Sequence, residues 1–467
     1  MRVIQRYKGV LVTLIIVVLI FYAYELDDEY LETVGELLSI VAGEPINSSF
    51  PITFYQSAYV DHRFDPPRLR IFTINKCLKN YQFLLADLHF NVNGSAPVRK
   101  NIYGIPLNRK CPINYIEQEG CVYNPYTFSI DLKTNEDPKK VTIHLGSRKV
   151  ELNVEKIYKK ATKGITVCLQ PVYYFSHWQN ILLFIEAWRA QGATRFIVYF
   201  HSATKETWKV LAYYRDLGLV EIKHWPSFPS FPVDIAYKYP RIDDSVLRNA
   251  YFLAMNICIL DIKTTFGTVP DFDEVLVPTN GRLLDYAIKE MAGTKVGALI
   301  FDNHYVSFTP NIYSANFSGV ASPKFRTLAW PSKYVFNASV IDIAQVHVPD
   351  SFTDPSMISI KADGALLHFR YDAESKNLTT TEKPYRFFPD NHSTHIKNME
   401  DTAKKIFNGV IPKFSSKSND ALHECVNKIM KSEDKICVST GGLCKAEMDK
   451  VEDWVYAKSE PLFLIAI

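Results

Sequence analysis

The segment after Gly164 constrains the fold most, because short apolar runs alternate there with stretches of helical spacing. An apolar, β-branched run covers Ile165–Leu169, and in His177–Ala190 the apolar residues recur at the spacing of one helix face. The same order then repeats as a strand, a helix and a strand at Arg195–Phe200, Lys205–Leu217 and Leu219–His224. This β-α-β-α-β succession predicts a parallel sheet with helices on its faces. Ligands of such sheets bind beyond the carboxyl ends of the strands.

Two carboxylates, Asp271 and Asp273, stand one residue apart just before Val275–Pro278, an apolar run that predicts a buried strand. On an extended backbone, residues i and i+2 point to the same side, so the two carboxylates can converge on one point. Hard divalent cations such as Mg²⁺ and Mn²⁺ prefer such oxygen ligands, and substrate phosphates complete their coordination. The alternative is an acidic turn whose carboxylates are merely solvated. A position beside a strand of an α/β sheet favours the ligand-binding interpretation.

The rest of this α/β region, which spans residues 161–400, continues the pattern. A later apolar strand, Ala365–Tyr371, places His368 and Arg370 on the same side by its period of two. Together they could serve a metal ion and a diphosphate, although a core histidine beside a surface arginine is the simpler alternative. Further helices are predicted at Leu247–Ile262 and Arg282–Met291, further strands at Val296–Phe301, Lys333–Phe336 and Gln345–Val348, and a surface loop at 372–400.

Residues 51–160 predict a small β-rich domain, because short β-prone runs are separated there by turn residues. A hairpin is expected for Val141–Leu145 and Lys149–Val154, on either side of Gly146. Residues 401–467 predict a C-terminal extension with a helix near Ala403–Phe407. Cys111 and Cys121 could close one small loop, and Cys425, Cys437 and Cys444 cluster near the end, so that the disulfide connectivity stays open.

The N-terminal 50 residues predict a membrane anchor. Arg2, Arg6 and Lys8 precede a nearly uninterrupted apolar run at 9–24, and acidic residues follow it. The run ends in bulky residues rather than at a small-residue cleavage site. Positive-inside logic then predicts a cytosolic tail at 1–8, a transmembrane signal anchor at 9–24, a stem at 25–50 and a lumenal body. So short a span suits the thin membrane of the endoplasmic reticulum or Golgi, and a single-pass type II topology.

Composition agrees with a globular lumenal protein of two or three units. The 467 residues are 47% hydrophobic and 22% charged, and a net charge of +3 is too mild for nucleic-acid binding. Aromatic residues reach 13%, which indicates aromatic cores more readily than a surface that stacks on sugar rings. Eight cysteines are compatible with lumenal disulfides. Glycosylation sequons occur at Asn47, Asn93, Asn316, Asn337, Asn377 and Asn391.

Several of these segments, taken in order, resemble glycosyltransferase family 92. The resemblance covers roughly Gly164 to Asp372, and no single piece of it is specific by itself. The segments that carry it are Val167-Cys168-Leu169-Gln170-Pro171-Val172-Tyr173, the helix with Glu186, Arg189 and Gly192, Asn256-Ile257-Cys258, Asp271-Phe272-Asp273-Glu274 and His368-Phe369-Arg370-Tyr371.

The resemblance implies a GT-A-like sheet and an inverting transferase that moves galactose from UDP-galactose onto a glycan of a glycoprotein or glycolipid with Mn²⁺. Asp271 and Asp273 would hold the metal against the donor diphosphate, and His368 would complete the metal shell. Pro171 and Tyr173 would lie near the nucleotide, as would Asp271 and Arg370.

Inversion also needs a carboxylate that accepts the proton of the acceptor hydroxyl. Asp302, just past an apolar strand, is the candidate for this base by position alone.

Two alternatives remain open at this point. A catalytically inactive family member could bind a nucleotide sugar, a glycan or a partner protein on the same fold. Ile257 stands where the family usually has an acidic residue, and Pro270 would lack a donor in a central strand. An anchored hydrolase has little support, because neither G-x-S-x-G nor H-E-x-x-H occurs in the sequence.

Overall fold

A computed structural model describes residues 44–45, 50–77, 82–90, 96–108, 120–133, 136–159, 161–233, 235–370, 385–432 and 436–466. In these ranges no helix is long and apolar enough to cross a membrane. The predicted tail, anchor and nearly all of the predicted stem lie outside them, as do the sequons at Asn47, Asn93 and Asn377.

Residues 44–157 supply all but one of the strands of one sheet. These are β1 (Glu44–Pro45), β2 (Ile52–Asp61), β3 (Arg68–Lys76), β4 (Gln82–Phe90), β5 (Val98–Pro106), β6 (Tyr123–Asp131), β7 (Pro138–Leu145) and β8 (Arg148–Ile157). The order β4-β5-β6-β3-β2-β8-β7 is closed by a further pairing of β7 with β4, so the strands form a barrel. Its interior is filled by alternate apolar residues such as Phe54, Leu69 and Ile143. The predicted β-rich domain and its β7–β8 hairpin are thereby confirmed.

The second sheet and its small satellites come from the rest of the chain, whose last strand joins the barrel instead. The strands are β9 (Thr162–Val172), β10 (Ala193–Phe200), β11 (Ser202–Ala203), β12 (Val220–His224), β13 (Thr264–Thr268), β14 (Glu274–Pro278), β15 (Val296–Ser307), β16 (Lys324–Asn337), β17 (Ile341–Ala344), β18 (Pro349–Phe352), β19 (Ile358–Lys361), β20 (Gly364–His368), β21 (Val455–Tyr456) and β22 (Phe463–Ala466).

The helices complete the elements. They are α1 (Trp178–Ala190), α2 (Lys205–Asp216), α3 (Ile242–Ser245), α4 (Tyr251–Cys258), α5 (Leu283–Met291), α6 (His392–Ile406), α7 (Lys417–Met430), α8 (Thr440–Leu443) and α9 (Lys445–Met448), with 3₁₀ turns at Leu247–Ala250, Ile312–Ser314 and Ser318–Ala321.

The second sheet has the order β12-β10-β9-β13-β16-β15-β20-β14, with β19 added beside β15. Strands β12, β10, β9 and β13 are parallel, as the β-α-β succession predicts. Strand β16 runs antiparallel to both neighbours, and β14 runs antiparallel to β20, so the complete sheet is mixed rather than parallel.

Helices cover both faces of this sheet. In β9, Val167 and Leu169 pack on one side in a core shared with α1, α2 and α5. Cys168, between them, points to the opposite side, where α4 lies. This alternation follows from the period of two along a strand. The predicted α/β class with helices on both faces is confirmed.

The barrel and the C-terminal extension are not separate bodies. Tyr55, Tyr59 and Phe72 of the barrel belong to the same buried cluster as Cys168 and α4. Strand β22 pairs with β2 of the barrel, and β21 pairs with β11. The chain therefore returns at its end to the barrel and to the short strand that follows β10.

Three disulfides join described residues: Cys121–Cys437, Cys168–Cys258 and Cys425–Cys444. The suggested closure of a small loop by Cys111 and Cys121 is wrong, because Cys121 bonds to Cys437, 316 residues later. Residues brought together only by tertiary packing cannot be paired from sequence spacing.

Three predicted elements of the α/β region differ from the structure. The helix expected at Leu247–Ile262 starts instead at Tyr251, because Arg248, Asn249 and Ala250 take left-handed φ angles of 42°, 55° and 57°. The expected strand at Gln345–Val348 lies between β17 and β18. The expected loop at 372–400 contains the first two turns of α6, and its residues 372–384 lie outside the described ranges.

The left-handed turn has a tertiary cause. The indole of Trp225 donates to Asn249 O at 2.9 Å, and the Asn249 side chain accepts from the Gly441 N–H at 3.1 Å. Two hydrogen bonds from distant segments thus hold a backbone conformation that L-residues otherwise avoid. The apolar spacing that predicts a helix carries no information about such distant partners.

Candidate active site

The carboxylate pair lies where β13 ends and β14 begins. Strand β13 stops at Thr268, so Pro270 stands beyond its last paired residue and interrupts no hydrogen-bonded ladder. Strand β14 pairs antiparallel with β20, which sets Glu274 opposite His368. The backbone N–H of Phe369 also donates to Asp273 O at 2.8 Å. The late histidine strand is thereby fixed against the acidic turn.

The two aspartates are in a turn and not on an extended backbone, which corrects the premise of their predicted convergence. Glu274 N donates to Asp271 O at 3.1 Å, and the Glu274 carboxylate accepts from Asp271 N at 2.8 Å. Each aspartate side chain consequently contacts different partners.

Asp271 and Glu274 share a buried cation, Lys333, from β16. Its Nζ lies 3.2 Å from Asp271 Oδ2 and 3.2 Å from Glu274 Oε2. Lys333 is 1% exposed and Glu274 2% exposed, so this ion pair is almost free of solvent. Burial opposes the ammonium charge, but the two carboxylates more than offset it and raise the pKa of Lys333. Burial likewise raises the pKa of Glu274, against the lowering effect of Lys333.

Asp273 is joined instead to His368 and Arg370. Its Oδ2 lies 3.2 Å from His368 Nε2 and 3.5 Å from Arg370 Nε, and Arg370 Nε donates to His368 Nε2 at 2.8 Å. His368 and Arg370 are in contact as predicted, but β20 ends at His368, so Arg370 lies just beyond the strand rather than on it. Burial raises the pKa of Asp273, but His368 and the neighbouring cations lower it overall. Burial lowers the pKa of His368, and Asp273 and Glu274 reverse this to a net increase.

A divalent cation fits this pair of ligand atoms. When two ligand atoms each lie at the distance from the ion that is typical of Mg²⁺, and the angle between them at the ion is a right angle, they are about 3.0 Å apart. The measured 3.2 Å between Asp273 Oδ2 and His368 Nε2 is close to this. Here the guanidinium of Arg370 contacts both atoms, as a cation would, and its side chain is 48% exposed. His368 Nδ1 is buried without a hydrogen-bond partner in the described residues, 4.0 Å from Glu274 Oε1.

The full predicted triad is not assembled. Across the described ranges, no group of three or more His, Cys, Asp or Glu side chains could hold a metal ion. Asp271, the third predicted ligand, is bound to Lys333 instead. The structure therefore brings Asp273 and His368 together and places Asp271 beside them on a different partner.

Pro171 and Tyr173 lie at the carboxyl end of β9, next to the parallel strand β13 that leads into the acidic turn. Both therefore occupy the sheet edge at which ligands of α/β sheets bind. Tyr173 is half-buried and packs against a cluster formed with the C-terminal extension. Its predicted role near a nucleotide stays a prediction.

Asp302 does not follow its strand, as the sequence suggests, but lies inside β15. It forms an ion pair of 2.6 Å with Lys361 on the neighbouring β19. In the register of β15 with β20, Tyr305 and not Asp302 stands opposite His368. The geometry gives no support to Asp302 as the base.

Sequence reasoning missed Lys333 and gave Glu274 no role. Lys333 precedes the apolar residues Tyr334-Val335-Phe336, and a lone lysine at the head of a buried strand was the available signal. It also missed His177, which burial and ring packing place beside Phe175, Tyr313 and Phe414. Phe175 in turn packs on Phe272, the residue between the two aspartates.

Comparison with models of known protein families gives a match. The model of glycosyltransferase family 92 matches residues 163–407, more than half of the chain. No curated protein matches the sequence.

Solved structures give weak matches. Glucosyl-3-phosphoglycerate synthase from Mycobacterium tuberculosis, in complex with Mn²⁺, UDP-glucose and phosphoglyceric acid, matches at 12% identity and a TM-score of 0.24, over 54% of this chain and 81% of that chain. S. aureus TarS 1-349 matches at 10% identity and a TM-score of 0.25, over 57% of this chain and 76% of that one. TM-scores this low do not establish a shared fold.

Proposed function

The chain belongs to glycosyltransferase family 92, and on this premise we propose that it is a metal-dependent, inverting hexosyltransferase of the GT-A type. The proposed donor is UDP-galactose, and the proposed acceptor is a glycan on a glycoprotein or glycolipid. The observation that carries the proposal is the convergence of Asp273, His368 and Arg370 beside the end of β13.

The metal would be held by Asp273 and His368, with Asp271 adjacent. When bound, Mn²⁺ or Mg²⁺ would neutralise the donor diphosphate and stabilise the charge that develops on the leaving UDP. Arg370 would then be free to donate to a phosphate oxygen, since its guanidinium can form paired, charge-assisted hydrogen bonds. Lys333 compensates Asp271 and Glu274, so the turn does not present three uncompensated carboxylates to an anionic donor.

The proposed location is the lumen of the Golgi or endoplasmic reticulum, with residues 9–24 as a single-pass type II anchor. Disulfides form and persist in oxidising compartments, and three of them join described residues. The sequons at Asn316 and Asn391 are exposed, which makes them accessible to glycosylation. These features support a lumenal body.

The test is UDP release by the purified full chain from UDP-galactose, with a panel of glycan acceptors, in the presence and absence of Mn²⁺. Asp273→Asn is expected to lower kcat/KM by about 100-fold or more, since loss of even an indirect metal partner costs up to that much. Asp131→Asn, which alters a carboxylate of the barrel, is the matched control and should retain activity.

Equal UDP release by wild type and Asp273→Asn would remove the metal-site assignment. UDP binding measured by calorimetry, without turnover on any acceptor, would favour instead the catalytically inactive binding protein. Pro270 lies outside β13 and therefore gives no structural reason for inactivity.

A further inference from the structure

A cleft of about 550 Å³ opens between residues 311–314 and Ile411–Phe414. Its volume is in the range of cavities that bind small organic ligands. One wall is the 3₁₀ turn after β15, and the other is the segment between α6 and α7. It will be called the 311/414 cleft.

The floor of the 311/414 cleft is rigidly supported. Tyr313 is buried, and its ring lies 5.3 Å from that of His177 and 4.9 Å from that of Phe414. Gln179, in the first turn of α1, donates to Tyr313 O at 3.1 Å. Burial lowers the pKa of His177 to about 4, so this support carries no charge near neutral pH. A preformed wall reduces the ordering cost of binding.

The 311/414 cleft shares two of its lining residues with a small cavity that reaches Arg370. A smaller neighbouring cavity is lined by Asn311 and Tyr313 on one side and by Phe369 and Arg370 on the other. Arg370 contacts both Asp273 and His368. The cleft therefore lies next to the residues proposed to hold the metal and the donor diphosphate.

The lining has the chemistry of a sugar site. Asn311 Oδ1 is used by the Tyr313 N–H at 2.7 Å, which leaves the amide N–H groups of Asn311 as donors for a ligand. The Ser314 hydroxyl donates to Asn311 O at 2.8 Å and can still accept a hydrogen bond from a ligand, and the half-buried Phe414 adds an aromatic ring. Among the described lining residues Lys413 alone is charged, and it is exposed at the rim. Uncharged polar groups that can hydrogen-bond to sugar hydroxyls, next to an aromatic ring, suit a neutral saccharide better than an anion.

The second wall of the cleft lies outside the part of the chain that matches the family. The match to the family ends at residue 407, and Ile411–Phe414 lies just beyond it. The cleft is therefore built partly from the family domain and partly from the C-terminal extension. The extension is anchored by the Cys121–Cys437 disulfide and by the strand pairs β21–β11 and β22–β2.

We propose that the 311/414 cleft is the acceptor subsite and binds a neutral oligosaccharide, with the C-terminal extension supplying the wall that selects it. This inference rests on the proposed glycosyltransferase function. It places acceptor choice on Asn311, Ser314 and Phe414, at a distance from the residues proposed to bind the metal and the diphosphate.

The test is binding of the full chain, without donor, to an array of neutral and anionic oligosaccharides. Ser314→Trp fills the cleft from an exposed position, and Phe414→Ala removes its aromatic wall. Val410→Trp is the matched control, since Val410 is 79% exposed and lies one residue outside the lining. Calorimetry with UDP and Mn²⁺ on the same proteins reports the donor side separately and shows whether each variant is folded.

We expect wild type and Val410→Trp to bind neutral glycans, and Ser314→Trp and Phe414→Ala to bind them at least about tenfold more weakly. UDP affinity should stay within about twofold in all four proteins. The inference is overturned if the array gives no neutral-glycan signal, if the two cleft variants bind like wild type, or if they lose UDP binding instead. Glycan binding with no UDP binding by wild type would overturn the proposed donor chemistry and leave the cleft assignment standing.

Discussion

At the scale of single residues, the Lys333 ammonium lies 3.2 Å from a carboxylate oxygen of both Asp271 and Glu274. Two carboxylates this close would otherwise repel each other in a poorly solvated site. The lysine comes from β16, which is inserted antiparallel between β13 and β15. The central antiparallel strand therefore delivers the charge that keeps the acidic turn stable.

Replacing this cation should be costly. Lys333→Met is expected to lower the free energy of unfolding by about 3–5 kcal/mol, because it leaves the buried Glu274 carboxylate without a counter-charge. The measurement is urea denaturation of the purified chain near neutral pH. Lys361→Met is the control: Lys361 is 72% exposed in its ion pair with Asp302, so its loss should cost less than about 1 kcal/mol. Equal losses in the two variants would show that Lys333 is not the effective counter-ion.

At the scale of elements, the passage from α1 to β10 depends on Gly192. Its φ is 104°, a region that L-residues rarely adopt, and it accepts a hydrogen bond from Ile165 N at 3.3 Å. A Cβ at this position would lie 2.4 Å from Leu284 Cβ of α5. Gly218, after α2, has a left-handed φ of 72°, but among the described residues no heavy atom beyond its chain neighbours lies within 4 Å of a Cβ placed there. An alanine at Gly218 would therefore meet backbone strain alone, whereas an alanine at Gly192 would meet backbone strain and a steric contact.

Alanine substitutions at these two glycines are expected to destabilise the protein by different amounts. Gly218→Ala should cost about 1–2 kcal/mol of stability from the left-handed backbone alone. Gly192→Ala should cost a further 1–3 kcal/mol or so, because α5 must move away from the new methyl group. Thermal and urea unfolding of both variants provide the measurement. If Gly192→Ala is no worse than Gly218→Ala, the contact between this turn and α5 is looser than the structure indicates.

At the scale of the whole molecule, the C-terminal extension ties the barrel to the α/β domain. Cys437, ahead of α8, is bonded to Cys121, which precedes β6 of the barrel. The backbone N–H of Arg248 donates to Val438 O at 3.0 Å, so the same segment also holds the left-handed turn before α4. The extension therefore acts on both domains at once.

Loss of the long-range disulfide should destabilise the protein more than loss of the short one. In the chain-entropy description, a crosslink across 316 residues contributes about 6 kcal/mol and one across 19 residues about 3 kcal/mol. Replacing both cysteines of each pair by alanine and measuring urea unfolding compares them directly. An equal or reversed order would mean that strain or residual structure, rather than loop length, controls the effect.

Much of the architecture was predictable because its causes are local. Hydrophobic periods identified β9, α1, β10, α2 and β12 within a few residues, since each element buries one face. The order β-α-β then restricted the sheet to a parallel core. The β7–β8 hairpin followed in the same way from two alternating runs around Gly146.

What escaped prediction depends on residues that are far apart in sequence. The barrel closes only when β7 meets β4, and β22 completes it from the far end of the chain. Disulfide partners and the left-handed turn at 248–250 have the same long-range origin.

For the candidate site, the sequence by itself determined the residue types: an acidic pair before a strand and a His-x-Arg at the end of another. Only the tertiary structure decided their partners, because the register of β14 with β20 brings Asp273 to His368 and β16 brings Lys333 to Asp271. The residue types of a segment and their spacing can be read directly from the sequence. The geometry of a charge cluster depends instead on which strands become neighbours, and that is decided by burial across the entire sheet.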